Sequence, residues 1–231
     1  MNSIVIENDG EYKEVEYPAV TPLEDMSKED ILNAIGTAGV VGMGGAGFPC
    51  HVKLCPPPTA KAECVILNGV ECEPYITSDN RLMLEHADEI LVGLDLLMRA
   101  AHVERGYIGI EENKPDAIRL LQEKTANRQD IKIVPLKMKY PQGGEKQLVD
   151  AVIDRQVPAP PAIPVSVGAI VQNVATAYAV YQAVMKHKPL FERYTTVSGL
   201  AMSKSANYLV RMGTPFAQLV DLCGGLPEGD N

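Results

Sequence analysis

The chain has 231 residues, 30 acidic against 21 basic side chains, a formal net charge of −9 and 46% hydrophobic residues. This is the composition of a globular protein of one or two domains, and it excludes disordered and fibrous classes. The acidic balance argues against a nucleic-acid-binding face, which needs clustered positive charge, and no apolar run reaches the roughly 20 residues of a membrane helix.

The N-terminus, MNSIVIENDG, has no basic start and carries Glu7 and Asp9, so it does not read as a signal peptide. The reading is a cytoplasmic protein, or one docked peripherally on the cytoplasmic side of a membrane. Residues 1–27 form a polar, proline-interrupted extension with one strand-like stretch at 4–7. Ser27, with Asp30 at the third helical position, is a weaker form of the capping box and predicts a helix over 28–38. Residues 36–50, GTAGVVGMGGAGFPC, hold seven Gly or Pro among fifteen and predict a loop. Residues 64–67 predict a buried strand ending at Asn68-Gly69. Ser78 or Asp79 then caps one long amphipathic helix whose apolar face runs from Met83 to Ala101.

Beyond it the pattern predicts a strand at 106–110, a helix at 114–124, a strand at 131–136 and a helix at 144–153. A proline-rich connection at 157–168, which cannot be helical, leads to a strand at 168–172 and a helix at 175–186. Strand–helix alternation predicts an α/β layered domain over residues 28–190, with a mainly parallel sheet flanked by helices. Residues 191–231 break the pattern. TTVSG alternates as a strand and residues 215–222 predict a short helix, the opening of a second, smaller module.

The five cysteines are Cys50, Cys55, Cys64, Cys72 and Cys223. Their spacing matches neither a zinc site nor a ferredoxin-type cluster, so reduced, unliganded thiols and no iron–sulfur cluster are expected in this chain. His51, His86, His102 and His187 are scattered and read as packing or surface residues. No Ser–His–Asp or Cys–His arrangement stands out, which disfavours hydrolysis.

Four junctions could carry chemistry. The loop GMGGAGFP, residues 42–49, leaves a bare backbone that a phosphate or flat ring can approach, since successive amides in such turns make anion-binding concavities. Pattern alone fits a structural turn about as well. Phe48 at its tip, a plausible base-stacking surface, favours a ligand. The second junction follows a buried strand and carries Glu71 and Glu73, suited to ribose hydroxyls or a ring amide; a solvated acidic loop is the alternative. The third, Tyr140-Pro141-Gln142-Gly143-Gly144-Glu145, and the fourth, Val171-Gln172-Asn173-Val174-Ala175-Thr176, are strand-to-helix junctions where helix amides attract anions. Together they suggest one composite nucleotide site.

The segments VVGMGGAGFPCHVKL, VILNGVECEPYITSDNRLMLE, KYPQGGEKQLVDAV and VGAIVQNVATAYAVYQAV, in this order, resemble the flavin-binding subunit of respiratory complex I. More closely they resemble the C-subunit family of Rnf electron-transport complexes. The tail ERYTTVSG…MGTPFAQLVDLCGG is similar to the opening of the β-grasp-type, SLBB-like module that follows the flavin domain in this family. The resemblance implies FMN and NAD(H) in one cavity. FMN would touch Gly42, Gly44, Gly45 and Lys53, then Asn68, Glu71 and Cys72, then Tyr140 and Gly143, and finally Val171, Gln172, Asn173 and Thr176. NADH would stack its adenine on Phe48 and place its nicotinamide near Glu73 and Glu145.

Four positions depart from the complex I pattern: Val70 and Gly144 stand where it has acids, Cys55 and Ala162 where it has aromatics. Longer family members also carry an N-terminal domain and paired [4Fe–4S] motifs that this sequence lacks, so the chain reads as a core or truncated product. The implied function is that of an FMN-dependent NADH dehydrogenase module in a membrane-associated ferredoxin:NAD+ oxidoreductase complex. Its partners would be NADH, other subunits and ferredoxin-type iron–sulfur centres, with no nucleic acid and no direct membrane span. The rivals are a cobalamin-reductase-like flavoprotein and a non-catalytic nucleotide-binding or assembly fragment.

Overall fold

The computed structural model describes residues 4–13, 15–17 and 22–226. The stretch at 4–7 is not a strand; Ile4, Val5 and Ile6 stand exposed and pair with no strand among the described residues. Helix α1 (Lys28–Thr37) starts at a complete capping box. Ser27 Oγ accepts from the Asp30 N–H at 3.1 Å, and the Asp30 carboxylate accepts from the Ser27 N–H at 2.9 Å. Its Ile31 and Ile35, one turn apart, are fully buried. The glycine-rich loop follows, then the one-turn helix α2 (Cys50–Lys53).

The central sheet has four parallel strands, β1 (Cys64–Asn68), β2 (Gly106–Glu111), β3 (Ile131–Leu136) and β4 (Ala169–Asn173), in the order β3-β2-β1-β4. Both faces are covered, as a parallel sheet requires, and the two-residue period sorts side chains between two cores. Val65, Leu67, Ile108, Ile110, Ile131, Ile133 and Ile170 face the larger one. It also takes the apolar stripes of α1, α3 (Ser78–Glu85), α4 (Ala87–Ala101), α5 (Pro115–Lys124) and α7 (Val174–Lys186). Cys64, Ile66, Leu136, Ala169 and Val171 face a smaller core with Leu148 and Val149 of α6 (Glu145–Ile153).

Three local features differ from the sequence reading. The predicted long helix is two, broken at His86 (φ −130°, ψ 36°). The break lets the His86 ring pack 4.6 Å from Tyr178 and bring Nε2 within 3.0 Å of Tyr194 Oη. The proline-rich connection contains a 3-10 turn, Pro164–Val167, because a proline at the first position lacks only an N–H that would go unpaired there. Strand β6 (Ala206–Arg211) pairs antiparallel with β5 (Glu192–Val197), followed by α8 (Phe216–Leu222). The hairpin docks on the start of α3: the Thr77 N–H donates to Thr196 Oγ1 at 3.1 Å and Ser198 Oγ donates to the Tyr75 carbonyl at 2.6 Å. On the far side, α4 and α7 touch at Gly93, where a Cβ would stand 2.1 Å from the Ala177 carbonyl oxygen.

From β1 the chain steps outward to β2 and β3, then returns by way of α6 to the other side of β1. The strand order therefore switches between β1 and β4, and open α/β sheets bind ligands in the crevice beyond the carboxyl ends of the strands at such a point. No helix among the described residues is long and apolar enough to cross a membrane.

Candidate functional site

β1 and β4 end side by side at Asn68 and Asn173, which are register partners. Above them opens a cleft of about 670 Å³, within the size range of small-molecule sites. One wall is the glycine loop. Val41 and Pro49 pair across its base, and the Gly42 N–H donates to the Phe48 carbonyl at 2.9 Å. The Met43 N–H donates to Thr176 Oγ1 at 3.0 Å, and the Arg193 guanidinium donates to the Met43 carbonyl at 3.2 Å. Anchored there, the turn has two different glycines. A Cβ at Gly44 would press on Asn173 at 3.1 Å; a Cβ at Gly45 would meet nothing within 4 Å, so the bare backbone faces open space.

The opposite wall is the start of α6. Gly143, Gly144 and Glu145 line the cleft, and Gly144 caps the helix without any side-chain hydrogen bond. The first amides of α6 are thus not taken by a side chain, and helix N-termini favour anions. Asn68 Nδ2 donates to the Gly143 carbonyl at 2.9 Å, tying this junction to the end of β1. Lys53 of α2 and Glu145 form an ion pair at 2.5 Å with both side chains on the cleft wall.

Of the residues expected at the site, Gly42, Gly44, Gly45, Phe48, Lys53, Asn68, Gly143, Glu145, Val171, Gln172 and Asn173 line this cleft. Phe48 is half exposed at the loop tip. Five others stand around the cleft rather than on its wall. Thr176 is fully buried and holds the glycine loop through Met43. Glu71, in a left-handed conformation (φ 49°), accepts from the N–H groups of Asp79 at 2.7 Å and Asn80 at 3.1 Å. The N-cap position of α3 is Thr77, and Glu71 takes up the first-turn amides in place of the Ser78 or Asp79 cap expected from sequence. Glu73 accepts from the exposed Tyr140 hydroxyl at 2.9 Å. Cys72 lies under Gly143, whose added Cβ would be 3.3 Å from its Sγ.

The cleft also has an apolar flank: Val52, Cys55, Pro56 and Pro57 on one side and Ile163, Pro164 and Val165 on the other.

Burial raises the pKa of Glu71, and the nearby Asp79 charge raises it further; Asp79 is likewise pushed up by burial. Burial lifts the Cys50 thiol to about 12 and the Cys64 thiol to about 11, which keeps both in the unreactive thiol form. Among the described residues no group of three or more His, Cys, Asp or Glu side chains could hold a metal ion.

A parallel α/β sheet with a bare glycine loop and an uncapped helix start, converging at its switch point, defines a nucleotide-type binding cleft. The family described as the Nuo51 FMN-binding domain matches residues 35–182, and the SLBB domain matches residues 194–231. The chain belongs to the Nuo51 FMN-binding family. It is 46% identical over 227 residues to the C-subunit of the proton-translocating ferredoxin:NAD(+) oxidoreductase complex of Clostridium ljungdahlii, covering 98% of this chain and 49% of that protein. It is 43% identical over 226 residues to the Na(+)-translocating counterpart of Acetobacterium woodii, covering 96% and 50%. The chain thus spans about half the length of these curated relatives. The fold matches NAD+-reducing [NiFe]-hydrogenase in the air-oxidized state, with a TM-score of 0.74 and 24% identity over 87% of this chain and 39% of that one. The likeness to the C-subunit family read from the four segments is borne out.

Proposed function

We propose that the chain is the FMN- and NAD(H)-binding core of the C-subunit in an Rnf-type, ion-translocating ferredoxin:NAD+ oxidoreductase complex. The observation that carries this reading is the convergence of all four motif junctions on one cleft at the sheet's switch point. The donor set fits a flavin mononucleotide. Open backbone at Gly45 accommodates a close-lying ring or phosphate, Lys53 and the α6 amides offer positive charge to an anion, and Val171, Gln172 and Asn173 at the end of β4 form the floor. FMN, when bound, supplies the exchange between a two-electron hydride and single electrons.

The protein's own part is positional. Gly42, Gly44 and Gly45 would admit the cofactor, Asn68 and Asn173 would hold the strand ends at the cleft, and Lys53 would offer its charge to the phosphate. Phe48, half exposed at the mouth, offers a face to the adenine of NAD(H), and Glu145 a carboxylate to its ribose. The apolar flank at Val52, Pro56 and Ile163 excludes water. Iron–sulfur centres on another segment or a partner, on the cytoplasmic side of the membrane, would take up the electrons, with residues 28–190 as the binding domain and 191–231 as the start of the SLBB-like module.

The test is titration of apo-protein with FMN, followed by flavin fluorescence, and then addition of NADH. About one FMN per chain and bleaching of the visible band are expected. No saturable change at micromolar FMN overturns the cofactor assignment; a loaded protein that NADH fails to bleach overturns the dehydrogenase reading.

A further inference from the structure

We propose that Asp79 is a positioning residue for the cofactor cleft: it locks the Asn173 carboxamide in one orientation and, through it, sets the seat of the glycine loop. The inference rests on the flavin reading above. Asp79 does not line the cleft and belongs to none of its glycine or amide junctions; it sits in the first turn of α3.

The geometry is a chain of committed contacts. Asn173 caps α7: its Oδ1 accepts from the Ala175 N–H at 2.8 Å. Its Nδ2 donates to Asp79 Oδ2 at 2.7 Å and to the Asn68 carbonyl at 3.3 Å. A carboxamide turned end for end would set donor against donor at Ala175 and oxygen against oxygen at Asp79 and Asn68. One orientation therefore satisfies all three partners, and the shortest contact is the one to Asp79.

That orientation matters because the glycine loop rests on it. A Cβ built at Gly44 would lie 3.1 Å from Asn173 Cβ, 3.2 Å from Nδ2 and 3.3 Å from Cγ, so the loop backbone already packs against the amide itself. A rotated Asn173 displaces the loop or leaves a gap under it. Asp79 is in turn held from behind: its N–H donates to Glu71 Oε1 at 2.7 Å, and the Lys114 ammonium donates to the Val70 carbonyl at 2.7 Å and the Glu71 carbonyl at 3.3 Å. The contact runs between residues 94 apart in sequence, in two different segments, so neither segment by itself points to it.

The same hydrogen bond could be a plain tertiary staple between α3 and α7, and the experiment separates the two. Wild type, Asp79→Ala and Asp79→Asn are titrated as apo-protein with FMN and melted without it. Asparagine keeps an acceptor oxygen of the same reach; alanine removes it. The expected result is FMN affinity about 10- to 100-fold weaker in Asp79→Ala, the size of a lost hydrogen bond to a charged group, and restored to within about threefold in Asp79→Asn. If Asp79→Ala does not fold, Asp79→Ser, whose hydroxyl suits a helix first turn but stops short of Asn173, takes its place with the same expectation. Wild-type FMN affinity in the alanine or serine variant, whatever its melting temperature, overturns the proposal. So does an Asp79→Asn variant as weak as Asp79→Ala. Failure of the wild type itself to bind FMN removes the flavin reading and this inference with it.

Discussion

Lys53 Nζ and Glu145 Oε1 stand 2.5 Å apart, linking α2 to the first turn of α6 although 92 residues separate them. Their side chains remain 32% and 41% exposed, so the pair itself contributes at most about 1 kcal/mol to stability. Its consequence is for ligands, because a phosphate bound in the cleft would compete with Glu145 for the same ammonium. Glu145→Gln should therefore leave FMN affinity unchanged or improved and shift the melting temperature by no more than about 2–4 °C. NADH half-saturation should rise about 10- to 150-fold, from the loss of a charged hydrogen bond. Lys53→Gln should instead weaken FMN. Stopped-flow bleaching of the flavin-loaded variants against NADH concentration measures both; an unchanged half-saturation in Glu145→Gln rules out Glu145 as a nucleotide contact.

The two central glycines of the loop should separate binding from folding. At Gly45 a methyl group meets nothing within 4 Å and the backbone φ is not positive. Gly45→Ala should melt within about 2 °C of wild type, since surface changes of this kind stay within about 0.5 kcal/mol. It should bind FMN at least about tenfold more weakly because the methyl enters the cradle. Gly44→Ala, which presses on Asn173, should lower both. If Gly45→Ala binds FMN like wild type, the loop is a structural turn only.

Thiol reactivity gives a third check. Cys55 is exposed on the cleft wall, whereas Cys50 and Cys64 are buried with thiols raised to about 12 and 11. A disulfide reagent at pH 8 should modify Cys55 quickly and reach Cys50 and Cys64 only on unfolding. Bound FMN and NAD+ should slow the reaction at Cys55. Peptide mapping after timed labelling reads the order; rapid modification of Cys50 in the native protein would contradict its burial.

A fourth expectation follows from Glu71. Its pKa is raised above the ordinary 4.5, first by burial and then by Asp79. The folded state then holds the proton more tightly than the unfolded one. This contribution to stability is complete below pH 4.5 and is lost as pH rises through the raised pKa. Glu71→Gln removes the titration and half of the α3 cap. Relative to wild type, the variant should be least stable near pH 4 and recover as pH increases. Urea midpoints of both proteins from pH 4 to 8 give the difference; a gap that is constant over that range excludes Glu71 from the pH dependence.

What the sequence determined by itself is what short-range physics controls. The capping box at Ser27 and Asp30 lies within one turn of helix, and the β-branched strand cores alternate with amphipathic helices. The glycine and amide junctions are contiguous, so the α/β class, the family and most of the cleft wall could be read from local pattern. Only the tertiary structure decided which polar groups line the cleft and which are held by other parts of the scaffold. Glu71 and Glu73 look equivalent in the sequence, but Glu71 turns left-handed and meets the α3 amides while Glu73 meets Tyr140. Thr176 lies in a ligand-like motif yet holds Met43. The helix breaks at His86 because its ring finds Tyr178 and Tyr194, which come from elements far along the chain. Asp79 gains its place from Asn173 in the same way. Each depends on a partner between 8 and 133 residues away, and it is settled only when the fold brings that partner within hydrogen-bond reach.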